Sequence, residues 1–324
     1  MPRLSLSFAS AFNERVQPLM DGTVQPEGLE LIPTYSHPAD TFWRQLKFQE
    51  FDVSEMSLSS YLIARSHGSA DMVAIPVFPS RMLFHTWLAI HVDSVVREPG
   101  DLVGKRLGVA EYQQTAALWL RGVLEHDFGV SQYKVHWYME RTAELSHGAV
   151  TGFTPPPGIS FHRIPADTSM VSMLANHELE AAAINTPWLR AANQLDRSNR
   201  NVADWSKVKP LFADPIAEMT RFVKKHGFVT PNHTYIIRGD IHRKHPWVAL
   251  NLYHAFTKAK ALAQEKLAMT RKIVGDDPFA YGVAANRPML ERRIDYSAEQ
   301  GLIAAKLKIE DLFAESTLTA QSSR

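Results

Sequence analysis

The chain has 324 residues, 45% of them hydrophobic and 21% charged, with a formal net charge of +1. That is ordinary globular composition, long enough for two domains, without the strong positive field that draws a protein to nucleic acid or to an anionic membrane. With no cysteine there is neither a disulfide framework nor thiolate chemistry, and no run of 18 apolar residues offers a membrane span.

Met1-Pro2-Arg3 leads directly into Leu4-Ser5-Leu6-Ser7-Phe8-Ala9, whose alternation of apolar and polar residues reads as a strand rather than as the apolar core of a signal peptide. That start predicts a soluble, cytoplasmic protein. Further strands are predicted near 29–34, 51–56, 83–92, 106–110, 133–138, 160–164, 180–184 and 233–238. Helical patterns fall near 12–20, 38–47, 58–66, 113–127, 168–176, 186–194, 246–265 and 298–313. The β-α alternation predicts α/β layers with largely parallel sheets. The strongest helix, Trp247 to Leu267, follows Pro246 and is predicted to be scaffold, with Leu250, Tyr253, His254, Thr257 and Ala261 on one face.

In open α/β sheets, ligands collect at the carboxyl ends of strands. Two such ends stand close in sequence: Phe51 to Tyr61, which carries Glu55, Ser57, Ser59 and Ser60, and Ile75 to Arg81, which carries Ser80. Pro79 and Ser80 fix the approach of Arg81, whose planar fork suits a carboxylate. Arg15, just after the first strand, either turns into the same cleft or stands as a solvated helix charge. Glu55 is expected to pair with Arg81 or Arg15, or to act as a base. Tyr112-Gln113-Gln114-Thr115 follows the strand Leu107 to Ala110, a corner where free N–H groups favour an anion, and Thr115 either caps the helix or bonds a ligand. Arg121, farther along that helix, reads as a surface salt bridge. His85 lies near the cleft or is a satisfied structural histidine.

Several chemistries are excluded. Gly100 to Arg106 has glycine spacing one residue short of a phosphate loop and Arg106 where Ser or Thr is required, and no G-x-G-x-x-G follows a strand. Among the 14 histidines, His177-Glu178 lacks a second histidine, and His242 and His245 flank Arg243-Lys244. No metal and no cofactor are expected.

The segments Phe51–Leu62, Ala74–Arg81 with His85, Asp101–Val109, Tyr112 with Thr115–Gly122, Pro231-Asn232-His233 and His245-Pro246-Trp247 resemble, in this order, the 4,5-dihydroxyphthalate decarboxylase family. The likeness covers roughly residues 3–265. The chain departs from the family pattern at Phe84, where a second arginine precedes the histidine, at Glu140-Arg141, where paired glycines fall, and at His177-Glu178, where Gly-Glu falls. These departures leave the identity of the acid open.

The resemblance implies an α/β, two-lobed, type II periplasmic-binding-protein-like fold with hinge-connected domains and a ligand clasped between them. Lobe one is placed at 1–90 and 235–324, lobe two at 91–234. It also implies a cofactor-independent decarboxylase, a carboxy-lyase acting on a hydroxylated aromatic acid of the 4,5-dihydroxyphthalate type. For that chemistry Arg81, with Arg15, is the expected carboxylate clamp. Ser57, Ser59, Ser60, Ser80, Tyr112 and Thr115 are the expected substrate contacts, and His85 or His233 is the general acid, with His85 favoured. The second reading is a non-catalytic binding protein or sensor for a small organic anion. The expected partner is a small aromatic acid, with no nucleic acid and no membrane; oligomeric state, a homo-oligomer included, is open.

Overall fold

The computed structural model describes residues 2–69, 71–184, 204–263 and 279–320, so the predicted helix at 186–194 lies outside the described residues. In chain order the strands are β1 (Leu4–Ser10), β2 (Leu29–Tyr35), β3 (Val53–Ser57), β4 (Met72–Ile75), β5 (Leu88–His91), β6 (Arg106–Val109), β7 (His136–Met139), β8 (Ser160–Arg163), β9 (Ala181–Ala183), β10 (Val208–Pro210) and β11 (His233–Arg238). The chain forms two compact units. One comprises residues 1–82, 228–295 and 303–324, the other 83–227 and 296–302. No helix among the described residues is long and apolar enough to cross a membrane.

The first unit holds a five-stranded sheet in the order β2-β1-β3-β11-β4. β1 runs parallel to β2 and β3, whereas β11 lies antiparallel between β3 and β4. The alternation of β1 sends Leu6 and Phe8 into a core with Val53, Ile75, Tyr235 and Ile237. The helix Trp247–Ala263 covers that core with Val248, Leu252, Tyr253 and Phe256. The predicted face is therefore only partly correct: Tyr253 and Thr257 are buried, but His254 and Ala261 are exposed.

Two predicted helices need correction. The segment 12–20 is mostly turn, because the Asn13 carbonyl accepts from the N–H groups of both Val16 and Gln17, and only Gln17–Met20 is helical. The carboxyl-terminal helix is Val283–Glu299, not 298–313, and it carries Pro288 inside it. A proline removes a backbone donor and usually breaks a helix interior, which hid this element from the sequence. Beyond it, Gly301 takes a left-handed φ of 70°, and short three-residue turns follow at Ile309–Asp311 and Glu315–Thr317.

The second unit holds a six-stranded sheet, β10-β5-β9-β6-β7-β8. β6, β7, β8 and β9 run parallel, while β5 and β10 are antiparallel to their neighbours. Both sheets are thus mixed rather than largely parallel. The predicted strand 83–92 begins as a tight helical turn, Phe84–Trp87, before β5. The core gathers Leu107, Val109, Tyr112, Leu120, Leu124 and Trp137. Met170, Val171 and Leu174 pack with Ala182 and Ile184 in a second cluster.

The helix Thr115–Phe128 ends at Gly129, whose left-handed φ of 71° closes it. Its mid-point glycine is a packing requirement. A Cβ on Gly122 would stand 2.0 Å from the Tyr296 ring, which also packs edge-on to Trp119 with ring centroids 5.5 Å apart. Gly122→Ala should therefore destabilise the protein by about 1–3 kcal/mol, the usual penalty of overpacking, despite the better helix propensity of alanine. Urea denaturation of the two proteins checks this, and equal or greater stability of the variant would contradict the packing.

Candidate active site

The antiparallel register of β3 and β11 sets Glu55 opposite Tyr235 and Ser57 opposite His233. Side chains on one face of a sheet recur every second residue, so Glu55, Ser57, His233 and Tyr235 share a face. His233 Nδ1 lies 2.5 Å from Glu55 Oε1, and the Ala11 N–H donates to Glu55 Oε2 at 3.1 Å. Both side chains are buried, Glu55 4% and His233 8% exposed. Burial pushes the Glu55 carboxyl up, but the His233 charge and hydrogen bond, the Ala11 N–H and the nearby His37 together hold it below its ordinary value. Glu55 is thus an ionised carboxylate fixed on one ring nitrogen. Phe42 sets the plane of that ring, edge-on with centroids 4.8 Å apart. Nε2 is the nitrogen that remains for chemistry.

Beside this pair, Tyr235 shares a 2.6 Å hydrogen bond with Ser10 Oγ. Burial, with the negative charge of Glu55, pushes the Tyr235 phenol well above its ordinary value, so it stays a neutral hydroxyl.

The two predicted arginines differ. Arg15 donates through Nε and Nη2 to the Pro79 carbonyl at 3.3 and 2.6 Å, and its guanidinium lies 3.7 Å over the Phe279 ring. Asn13 braces the same loop, donating to the Pro79 carbonyl and accepting the Arg15 N–H. Nη1 makes no hydrogen bond to a described residue. Burial lowers the Arg15 value, against the pull of Tyr281, Glu14 and Tyr235, yet an arginine remains protonated. Arg81, by contrast, donates to the Val229 and Ala280 carbonyls and to Asn286 Oδ1, at 3.1, 2.9 and 2.5 Å. It ties three segments of its own unit together. Glu55 pairs with neither arginine but with His233.

The serines are structural neighbours of the pair. Ser57 caps the helix Leu58–Ser66, its Oγ accepting from the Ser60 N–H at 3.4 Å, and Ser59 and Ser60 are buried in the first turn. Ser80 contributes its carbonyl to the Asn232 N–H at 2.8 Å.

The remaining predicted residues belong to the second unit. His85 is 1% exposed, its Nε2 2.8 Å from Glu218 Oε1 and its ring against Phe222 and Phe212. Glu218 is shared with Arg221, which also reaches Asp127. Tyr112 is a core residue: its hydroxyl donates to Gln132 and its ring carries the Arg121 guanidinium at 3.8 Å. Arg121 is therefore buried, not a surface salt bridge; its Nε donates to Gln300 and its Nη1 to the Tyr112 carbonyl. Thr115 is the first residue of its helix, and Gln114 holds the cap position. A cluster that sequence reading missed lies at the carboxyl ends of β6 and β7. Glu111 and Arg141 stand 3.5 Å apart, Ser146 donates to Glu111 at 2.7 Å, and His147 Nε2 is 3.4 Å from Arg141. The available signal was position: two charged residues, Glu140-Arg141, directly after a strand.

No family model matches the chain. A 4,5-dihydroxyphthalate decarboxylase of Comamonas testosteroni is 30% identical over 335 residues, covering 98% of each chain. One of Pseudomonas putida is 36% identical over 181 residues, 56% of this chain and 70% of that protein. Among solved structures, the periplasmic aliphatic sulphonate binding protein of Escherichia coli superposes with a TM-score of 0.54 at 13% identity, covering 97% of this chain and 92% of that one. The fold is that of the periplasmic binding proteins.

The Glu55 environment has a consequence for acid stability. A carboxyl held low in the folded state stabilises the protein above the unfolded-state value, about 4.3, and loses that contribution as pH falls through the folded value. Glu55→Gln should cost about 1–3 kcal/mol at pH 6, and the gap from wild type should close as the pH is lowered below about 4. Urea denaturation across that range measures it. A gap that is constant with pH would show that Glu55 is not held as a carboxylate.

Proposed function

The chain belongs to the 4,5-dihydroxyphthalate decarboxylase family, and on that premise we propose that it is a carboxy-lyase. In this reading it is a cofactor-independent decarboxylase of a hydroxylated aromatic acid of the 4,5-dihydroxyphthalate type, giving a dihydroxybenzoate and CO2. The observation that carries the reading is the Glu55–His233 pair. One imidazole nitrogen is held by an ionised carboxylate, and the other makes no hydrogen bond to a described residue, the place this reading gives to the proton donor.

The reaction needs a proton at the ring carbon that bears the departing carboxylate. His233 Nε2–H supplies it, the hydroxyl para to that carbon donating electrons as ring aromaticity is interrupted. The C–C bond to the carboxylate then breaks, its electron pair restores the ring, and CO2 leaves. Glu55 orients His233, the role of an orienting carboxylate on a general acid. The imidazole recovers its proton from solvent. Arg15 holds a substrate carboxylate, since its guanidinium is partly desolvated, makes no ion pair with a described carboxylate, and keeps Nη1 for a charge-assisted bond. Tyr235 and Ser10 offer neutral hydroxyls near the pair. His85 serves the ion network of its own unit and takes no part in proton transfer.

The test is CO2 release from 4,5-dihydroxyphthalate and from a panel of hydroxylated benzoates. His233→Asn should lower kcat by about 10²–10⁴-fold, the usual worth of a general acid. Arg15→Gln should act mainly on KM. His85→Asn should lose stability yet keep the wild-type pH profile. If the protein binds these acids and releases no CO2, it is a binding protein. Turnover should also survive exhaustive chelation, and loss that one divalent ion restores would overturn cofactor independence.

A further inference from the structure

At the opposite end of the second unit's sheet from the Glu111–Arg141 cluster, three ligand-type side chains converge that the decarboxylation chemistry does not use. We propose that His91, Asp93 and His177 form a binding site for a divalent transition-metal ion of the zinc type, separate from the catalytic groups.

His91 ends β5, Asp93 follows it by two residues, and His177 enters from the turn after the helix Met170–Ala175. One nitrogen or oxygen from each of the three lies within 4.8 Å of the others. The imidazoles of His91 and His177 are in contact, centroids 3.5 Å apart and tilted by 43°. His91 Nδ1 is 3.9 Å from Asp93 Oδ2. Ligand atoms around a tetrahedral zinc, each at about 2.0–2.1 Å from the metal, stand roughly 3.3 Å apart. The three groups therefore need to close by little more than an ångström. Asp93, 81% exposed at its side chain, is free to swing in.

Two further features suit a metal. His91 is 4% exposed, so its ring sits in a fixed, largely desolvated position. His177 takes a left-handed φ of 62°, one of two non-glycine residues to do so among those described, and this turn directs its side chain at His91. Opposing the site, the Asp93 N–H donates to His91 Nδ1 at 3.1 Å and must yield if that nitrogen takes the metal. Lys207 and Lys209 also repel a cation, although Lys209 Nζ is turned onto the Val92 carbonyl at 2.7 Å. A moderate, reversible affinity follows. The sequence conceals the site because its third ligand arrives from a different strand connection. The chain has no cysteine to compete for the ion.

The experiment titrates zinc into the full chain against a chromophoric chelator and repeats the titration with His177→Gly and Asp93→Asn. Glycine suits the left-handed backbone at 177, so the first variant removes the ligand without straining the turn; unchanged thermal unfolding without metal verifies this. The wild type should bind one zinc with at least tenfold higher affinity than either variant. Cobalt should give a visible d–d absorption that His177→Gly abolishes, and decarboxylase turnover should be the same in all three proteins. Equal zinc affinity in wild type and His177→Gly would overturn the proposal, as would a wild type that binds no zinc.

Discussion

The antiparallel pairing of β11 with β3 joins residues 178 positions apart, and the chemistry of the first unit depends on its register. A shift of one residue would exchange the two faces of β11. Tyr235 and Ile237 would leave the core they share with Phe8 and Phe256, and His233 would leave Glu55. The core thereby specifies the site. Tyr235 packs with its ring centroid 4.3 Å from Phe256 and 5.7 Å from Phe8, and its hydroxyl reaches Ser10 on β1. Burying an aromatic body is a strong driving force with a fixed geometry. The same strand that buries Tyr235 must place His233 one pleat earlier, beside the carboxylate.

That carboxylate would be costly to bury alone. Its two oxygens are served from two directions, by an imidazole on β11 and by a backbone N–H just beyond β1. The loop after β1 therefore does two things. Ala11 holds Glu55 as an anion, and two and four residues on, Asn13 and Arg15 converge on the Pro79 carbonyl. Tyr235, which senses the charges of both Glu55 and Arg15, lies between these functions. The loop thus carries the Arg15 cation and steadies the Glu55 anion of β3.

The sequence disclosed the regular parts of this fold and misjudged the irregular ones. The pattern of β1 was plain because its alternation is the burial pattern itself. The helix Val283–Glu299 was obscured by Pro288, a local signal that tertiary packing overrides. Arg81 drew attention because proline fixes its approach, but a fixed approach serves a structural tie as well as a ligand, and its donors meet two carbonyls and an amide. Glu55 and His233 were both visible as candidates; their partnership was not, since spacing within a chain says nothing of which strands pair. The mixed sheets have the same origin: β11 and β5 run against their neighbours because the chain passes from one unit to the other and back.

Among the described residues His85, His226 and His233 each face a buried carboxylate, and the surroundings of those carboxylates differ. Glu218, opposite His85, already receives two guanidinium N–H bonds from Arg221. Its charge is largely compensated by that guanidinium. The His85 ring is also packed against two phenylalanines and is 1% exposed. No described guanidinium bonds to Glu55, and the nearby His37 acts on it through charge alone. The remaining Glu55 oxygen takes one neutral backbone N–H, from Ala11. A general acid must be charged before the transfer and lose little when it gives up the proton. His233 is held at Nδ1 by a carboxylate that no described guanidinium shares, and its Nε2 makes no hydrogen bond to a described residue.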